Sequence, residues 1–156
     1  MKTAKVTHAI TPVHFQITEI NFSAPLTNKK KGKEKLGLRI VHSIQVDPEN
    51  RMTFTVDFIA DITNSAETLK LQVKFRTLFY SNKEISDEFL KSAFMQQSPP
   101  AIAFPYLRSF ILTLSSNAGI DPIILPPLNF TKIKEDCDVP RLKEKNNLSK
   151  PVLPSP

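Results

Sequence analysis

The chain has 156 residues, one cysteine, three glycines and a formal charge of +6 from 21 basic and 15 acidic side chains. That length suits one ordinary domain with a real core, since domains of about 100–150 residues are typical. The single cysteine, Cys137, excludes an internal disulfide framework and, in polar surroundings, reads as a free surface thiol. The opening MKTAKVTHAITP lacks the apolar centre of a secretory signal, and no stretch approaches the roughly 20 apolar residues that span a bilayer. The expectation is a cytoplasmic protein without membrane insertion.

Val13, Phe15 and Ile17 alternate with polar residues, but Ile20 and Phe22 fall out of step, which predicts a first strand bulged near Thr18-Glu19. Leu36, Leu38, Ile40, His42, Ile44 and Val46 share one face of a second strand. A turn at Asp47-Pro48-Glu49-Asn50 joins it to Met52, Phe54, Val56, Phe58, Ala60 and Ile62, and the two runs read as a hairpin. Leu69, Leu71, Val73, Phe75 and Phe79 form the apolar side of a fourth strand, opposite Lys70, Gln72, Lys74 and Arg76. Four amphipathic strands in succession predict an antiparallel sheet with one wet face.

Ser86 is placed to cap a short helix containing Phe89, Leu90, Ala93 and Phe94, with Ser98-Pro99 as its expected stop. A longer helix follows from about Ala101, with Pro99 and Pro100 suited to its first turn, Pro105 a possible kink and Gly119 its terminator. Phe104, Leu107, Ile111, Leu114 and Ala118 form its core stripe. Tyr106 and Phe110 make a second apolar side, with Ile102 and Leu112 beyond, which predicts a helix held between its own domain and another subunit. Asp121-Pro122 and Pro126-Pro127 then impose an extended apolar loop that must cover something. Strands followed by helices indicate an α+β fold: a four-stranded antiparallel sheet with one face covered by helices. Residues 1–133 are expected to form one domain and 134–156 a polar, proline-containing, flexible tail.

The residues offer no enzyme. His8, His14 and His42 have no HxxxH or HExxH spacing, one cysteine builds no Cys/His cluster, and three glycines form no phosphate-binding loop. No catalytic residue, metal or cofactor is expected. His42 reads as a structural histidine at a sheet margin, and Asp57 and Asp61, four apart on a strand, as solvating charges rather than an acid/base pair. Lys29-Lys30-Lys31-Gly32-Lys33-Glu34-Lys35 carries a net +4 from five lysines and one glutamate. It reads either as a solvated connector or as an electrostatic docking site for RNA, acidic protein or anionic lipid. Nucleic acid as principal ligand is disfavoured, because the predicted wet face offers few aromatics among its basic residues.

Two segments, AIAFPYLRSFILTL and AGIDPIILPPLNF, resemble in order and spacing the SecB family of export chaperones, with its Phe-Pro-Tyr helix and later Pro-Leu-Asn-Phe element. Weaker similarity begins at FQITEINFSAP, so the resemblance runs from about Phe15 to Ile133. It implies an ATP-independent holdase that keeps unfolded preproteins export-competent for the Sec pathway, built as a homotetramer, a dimer of dimers. Client contacts implied by the family's strand and lid are Leu36, Leu38, Ile40, Leu125, Leu128, Phe130 and Ile133, and Tyr106 and Phe110 would lie in the oligomer interface.

The family docks the translocation ATPase SecA on an acidic sheet surface. The matching positions here are Glu19, Ser23, Lys70 and Gln72, of which one is acidic, and Lys74 and Arg76 lie nearby. A locally basic docking face is therefore expected, with weakened SecA coupling. The alternatives are a SecB-like chaperone of a toxin–antitoxin system and, less favoured, a basic RNA-binding or interaction domain.

Overall fold

A computed structural model describes residues 7–26 and 35–131, together with the backbone of Cys137–Asp138. All of the Lys29–Lys35 run but its last residue, Ile133 and most of the expected tail lie outside the described residues.

β1 (Ile10–Ser23), β2 (Leu36–Val46), β3 (Thr53–Asn64) and β4 (Lys70–Ser81) form an antiparallel sheet in the order β1-β4-β3-β2. A two-residue β5 (Cys137–Asp138) pairs with the far edge of β2, so part of the expected tail joins the sheet. β2 and β3 make the anticipated hairpin. Its turn is closed by Asp47 N–H donating to Thr53 O at 3.0 Å and Thr53 N–H donating to Asn50 O at 2.9 Å.

β1 carries the expected register shift between Ile17 and Glu19, and a second, unforeseen one between Pro12 and His14. Val13, expected to face inward, is therefore left 60% exposed. Ile10 and Pro12, then Phe15 and Ile17, then Ile20 and Phe22 all stand opposite inward-facing residues of β4. Each bulge resets the two-residue alternation, so one long strand keeps a single apolar face.

Ser86 caps α1 (Asp87–Leu90), its Oγ accepting from Phe89 N–H at 3.1 Å. Arg51 anchors this corner, its Nε donating to Ile85 O at 2.7 Å and its Nη2 pairing with Asp87 at 2.6 Å. The expected break at Ser98-Pro99 does not occur. α2 runs unbroken over Ala93–Asn117 from an N-cap at Ser92, with Pro99, Pro100 and Pro105 inside it. An interior proline costs about 3 kcal/mol in an isolated helix. Here Pro99 and Pro100 are buried, as is Met95 in the preceding turn, so apolar burial offsets the lost hydrogen bonds.

The core lies between α2 and the inner face of the sheet. Phe54, Val56, Phe58, Ala60 and Ile62 of β3 and Leu71, Val73, Phe75 and Phe79 of β4 meet Met95, Ala103, Phe104, Leu107 and Ile111 of α2. Burial of each large side chain contributes about 1.5–3 kcal/mol, so these residues dominate the stability of the fold. Leu114 is half-buried and Ala118, the helix C-cap, is exposed, so the predicted stripe ends one turn early. Among the described residues no helix is long and apolar enough to cross a membrane.

Candidate functional site

At the end of α2 the chain reverses at Gly119, whose φ of +75° is open to a residue without a Cβ. The following segment, through Asn129, has no regular structure and folds back over the core. Two side chains of α2 hold it there. Buried Ser115 Oγ accepts from Ile123 N–H at 2.9 Å while donating to Ile111 O at 2.8 Å, and Arg108 Nε donates to Leu125 O at 2.9 Å. Each satisfies a backbone group that no strand or helix partner would meet. Ile123, Leu125 and Phe130 are buried in consequence.

Phe130 sets its ring edge-on to Phe58, Phe104 and His42, at centroid distances of 6.1, 5.7 and 5.5 Å. His42 therefore packs on the helix-facing side of β2, on the apolar face where the alternation of that strand places it. Leu125 and Phe130 complete the core of the monomer, as do Leu38 and Ile40 of β2. Leu36 and Leu128 are only partly buried and pack against that core. The seven candidate client contacts thus divide into four core residues, two at its border and Ile133, which lies outside the described residues.

Sequence reasoning missed the residues that extend this border. His42, Ile44 and Val46 continue the inner face of β2 but are only half-buried. A cavity of about 190 Å³ opens there, lined by His42, Ser43, Ile44, Leu90, Lys91 and Gln96. Gln96 Nε2 donates to Leu90 O at 2.8 Å, bracing the α1–α2 junction as its far wall. The alternation of β2 through Ile44 and Val46 was the available signal. Their incomplete cover depends on where α1 ends, which no local pattern specifies.

The outer face carries the candidate docking residues side by side, with Glu19 opposite Lys74, Asn21 opposite Gln72 and Ser23 opposite Lys70. Its basic character is largely neutralised, contrary to expectation. Lys74 Nζ pairs with Glu19 Oε2 at 2.6 Å, and Arg76 grips Asp57 through Nε at 2.6 Å and Nη2 at 3.2 Å. Gln72 Nε2 donates to Asp61 Oδ1 at 2.7 Å. The hydrogen bond from Lys74, helped by one from Asn21, holds the Glu19 carboxyl below its ordinary value, and the hydrogen bonds that Arg76 donates to Asp57 raise the Arg76 guanidinium above its own. Among the described residues, Lys70 has no ion-pair partner.

No family model matches the chain. It is 26% identical over 125 residues to the protein-export protein SecB of Ehrlichia ruminantium, covering 80% of this chain and 68% of that protein. Its fold matches the SecB-like chaperone Rv1957 of Mycobacterium tuberculosis, solved with a ChAD peptide from the HigA1 antitoxin. The TM-score is 0.61 at 15% identity, over 77% of this chain and 88% of that one. The chain is a divergent SecB-like protein. A shorter match, 40% identical over 53 residues, links the SecB-like chain to the uncharacterized protein MJ0357 of Methanocaldococcus jannaschii, covering 34% of this chain and 33% of that protein.

On the remaining side of this SecB-like fold, Tyr106 stacks on Phe15 of β1 at a centroid distance of 3.8 Å yet stays 50% exposed. Phe110 is partly buried against the core. Ile20 and Phe22, on the inner face of β1, and Ile102 and Leu112 of α2 are also exposed. The apolar side predicted for α2 thus has a counterpart on β1 that the monomer leaves uncovered.

Proposed function

We propose that this SecB-like chain is a chaperone that holds unfolded polypeptides by their apolar segments along the inner margin of β2, without nucleotide and without turnover. The observation that carries this reading is the half-buried border of Leu36, His42, Ile44, Val46 and Leu128 beside an otherwise closed core. A few side chains of a client, each worth roughly 1.5–3 kcal/mol on burial, suffice for reversible binding once association costs are subtracted. Similarity to the Ehrlichia export protein supports cytoplasmic preproteins as clients and delivery to the Sec pathway as the purpose.

Assembly as a homotetramer, a dimer of dimers, would multiply such margins and retain a long chain by effective concentration. Tyr106, Phe110, Ile20 and Phe22 are the surfaces available for it. SecA docking on the face bearing Glu19, Ser23, Lys70 and Gln72 would be weak, because that face is charge-balanced by internal pairs. The same observation favours a second reading, a partner of the toxin–antitoxin kind, consistent with a fold shared with Rv1957.

The test measures native mass and suppression of aggregation of a denatured protein, with and without ATP. A tetramer that suppresses aggregation equally in both conditions is expected. A chain that ignores unfolded protein but binds RNA with steep salt dependence would overturn the chaperone reading in favour of nucleic acid.

A further inference from the structure

We infer that the chain's own β5, Cys137–Asp138 on the edge of β2, is an intramolecular strand that competes there with an extended client. The inference rests on the reading of this protein as a binder of unfolded polypeptide. β2 pairs with β3 in unbroken register from Leu36 opposite Asn64 to Val46 opposite Phe54. On its other edge the strand found among the described residues is β5, which sets Asp138 opposite Arg39 and Cys137 opposite Ile40. It spans two residues against the eleven of β2.

The two edges of the sheet differ as templates. β1, at the opposite side, has its register broken twice, at Pro12/His14 and Ile17/Glu19, and bulges of this kind spoil an edge for further pairing. β2 has no register shift and no proline. An extended polypeptide adding to this sheet therefore meets its regular ladder at β2, where main-chain hydrogen bonds supply affinity and every second side chain faces one side of the sheet. That side is the half-buried margin of Leu36, His42, Ile44 and Val46. A client strand in this position coincides with β5.

Competition follows from tethering and from length. A segment on the same chain is present at an effective concentration of about millimolar, whatever the client concentration. Its two paired residues nevertheless make a short ladder, which a longer client strand displaces. The segment thus weakens binding of poor clients without closing the site to good ones.

The test locks the strand in place. In a Cys137→Ser background, Arg39→Cys and Asp138→Cys put thiols on residues that stand opposite each other. The oxidised and reduced forms of this one protein are compared for binding of a permanently unfolded, carboxymethylated polypeptide that has no free thiol. The expected result is an intramolecular disulfide, seen as monomer mass under denaturing conditions. Oxidation should lower client affinity by at least about tenfold, and reductant should restore it. A chain truncated after Asp136 should bind more tightly than the full chain. Failure of the disulfide to form overturns the pairing. Equal affinity of the two forms overturns the competition. Absence of binding by every form, truncated chain included, overturns the chaperone reading and the competition with it, while a disulfide that still forms upholds the pairing.

Discussion

Lys74 Nζ lies 2.6 Å from Glu19 Oε2 across the β1–β4 ladder, and this pair sets the charge of the outer face at the position where a docking acid is expected. Glu19 is the one acidic residue among the four candidate docking positions, and its charge is already engaged. A partner with a basic docking element must compete with Lys74 for it.

The pair has a pH signature. Because the folded-state pKa of Glu19 lies below the ordinary 4.5, its ionised form is favoured by folding; this contribution is complete above 4.5 and disappears as pH falls through the lower folded value. An NMR titration of the Glu19 side chain should give a midpoint below 4.5, and Lys74→Met should move it upward. No change on removing Lys74 would mean that Asn21 alone holds the carboxylate. Fold stability should hardly respond, since exposed ion pairs contribute little.

Core and margin should separate under mutation. Leu38→Ala is expected to destabilise the fold by about 2–5 kcal/mol, as for other buried leucines. Ile44→Ser and Leu128→Ser should instead lower affinity for an unfolded client, with a much smaller shift in the denaturation midpoint. Retained client affinity in both serine variants would remove the margin of β2 from the site.

Ser115→Ala tests how the apolar loop is held. The substitution leaves the buried Ile123 N–H without its acceptor, which should cost about 1–3 kcal/mol. Hydrogen exchange at Ile123 should accelerate more than at β3 amides. Uniform acceleration would show that the loop opens only with the whole domain.

Tyr106→Glu should shift the protein toward smaller species in native mass measurements across a dilution series. It also removes the stack on Phe15, so a thermal denaturation control is needed to separate assembly from folding. Phe110→Glu should act in the same direction but with a larger loss of stability, because Phe110 packs against the core. An unchanged mass for both would place the subunit contact elsewhere.

Much of the fold was legible in the sequence because its signals are local. The alternation of β2, β3 and β4, the bulge at Thr18-Glu19, the Ser86 cap and the reversal at Gly119 each follow from the conformational preferences of a few neighbouring residues. The candidate site was less legible. Leu38, Ile40, Leu125 and Phe130 have the composition of a binding surface, but apolar side chains look the same in sequence whether they line a groove or fill a core. The loop buries Leu125 and Phe130 through Ser115 and Arg108, which contact it across 8 and 17 residues of sequence.

By itself, then, the sequence determined a four-stranded α+β unit with a twice-apolar helix and an extended apolar loop, since periodicity and proline placement act over single elements. Tertiary structure alone decided that α2 continues through Pro99 and Pro100, because their burial compensates a helix that propensity would break. It likewise decided that Val13 bulges outward and that Lys74 and Arg76 are neutralised by Glu19 and Asp57. Those outcomes depend on which strands become neighbours. That choice is made by the summed burial of the whole core, and no stretch of chain carries it alone.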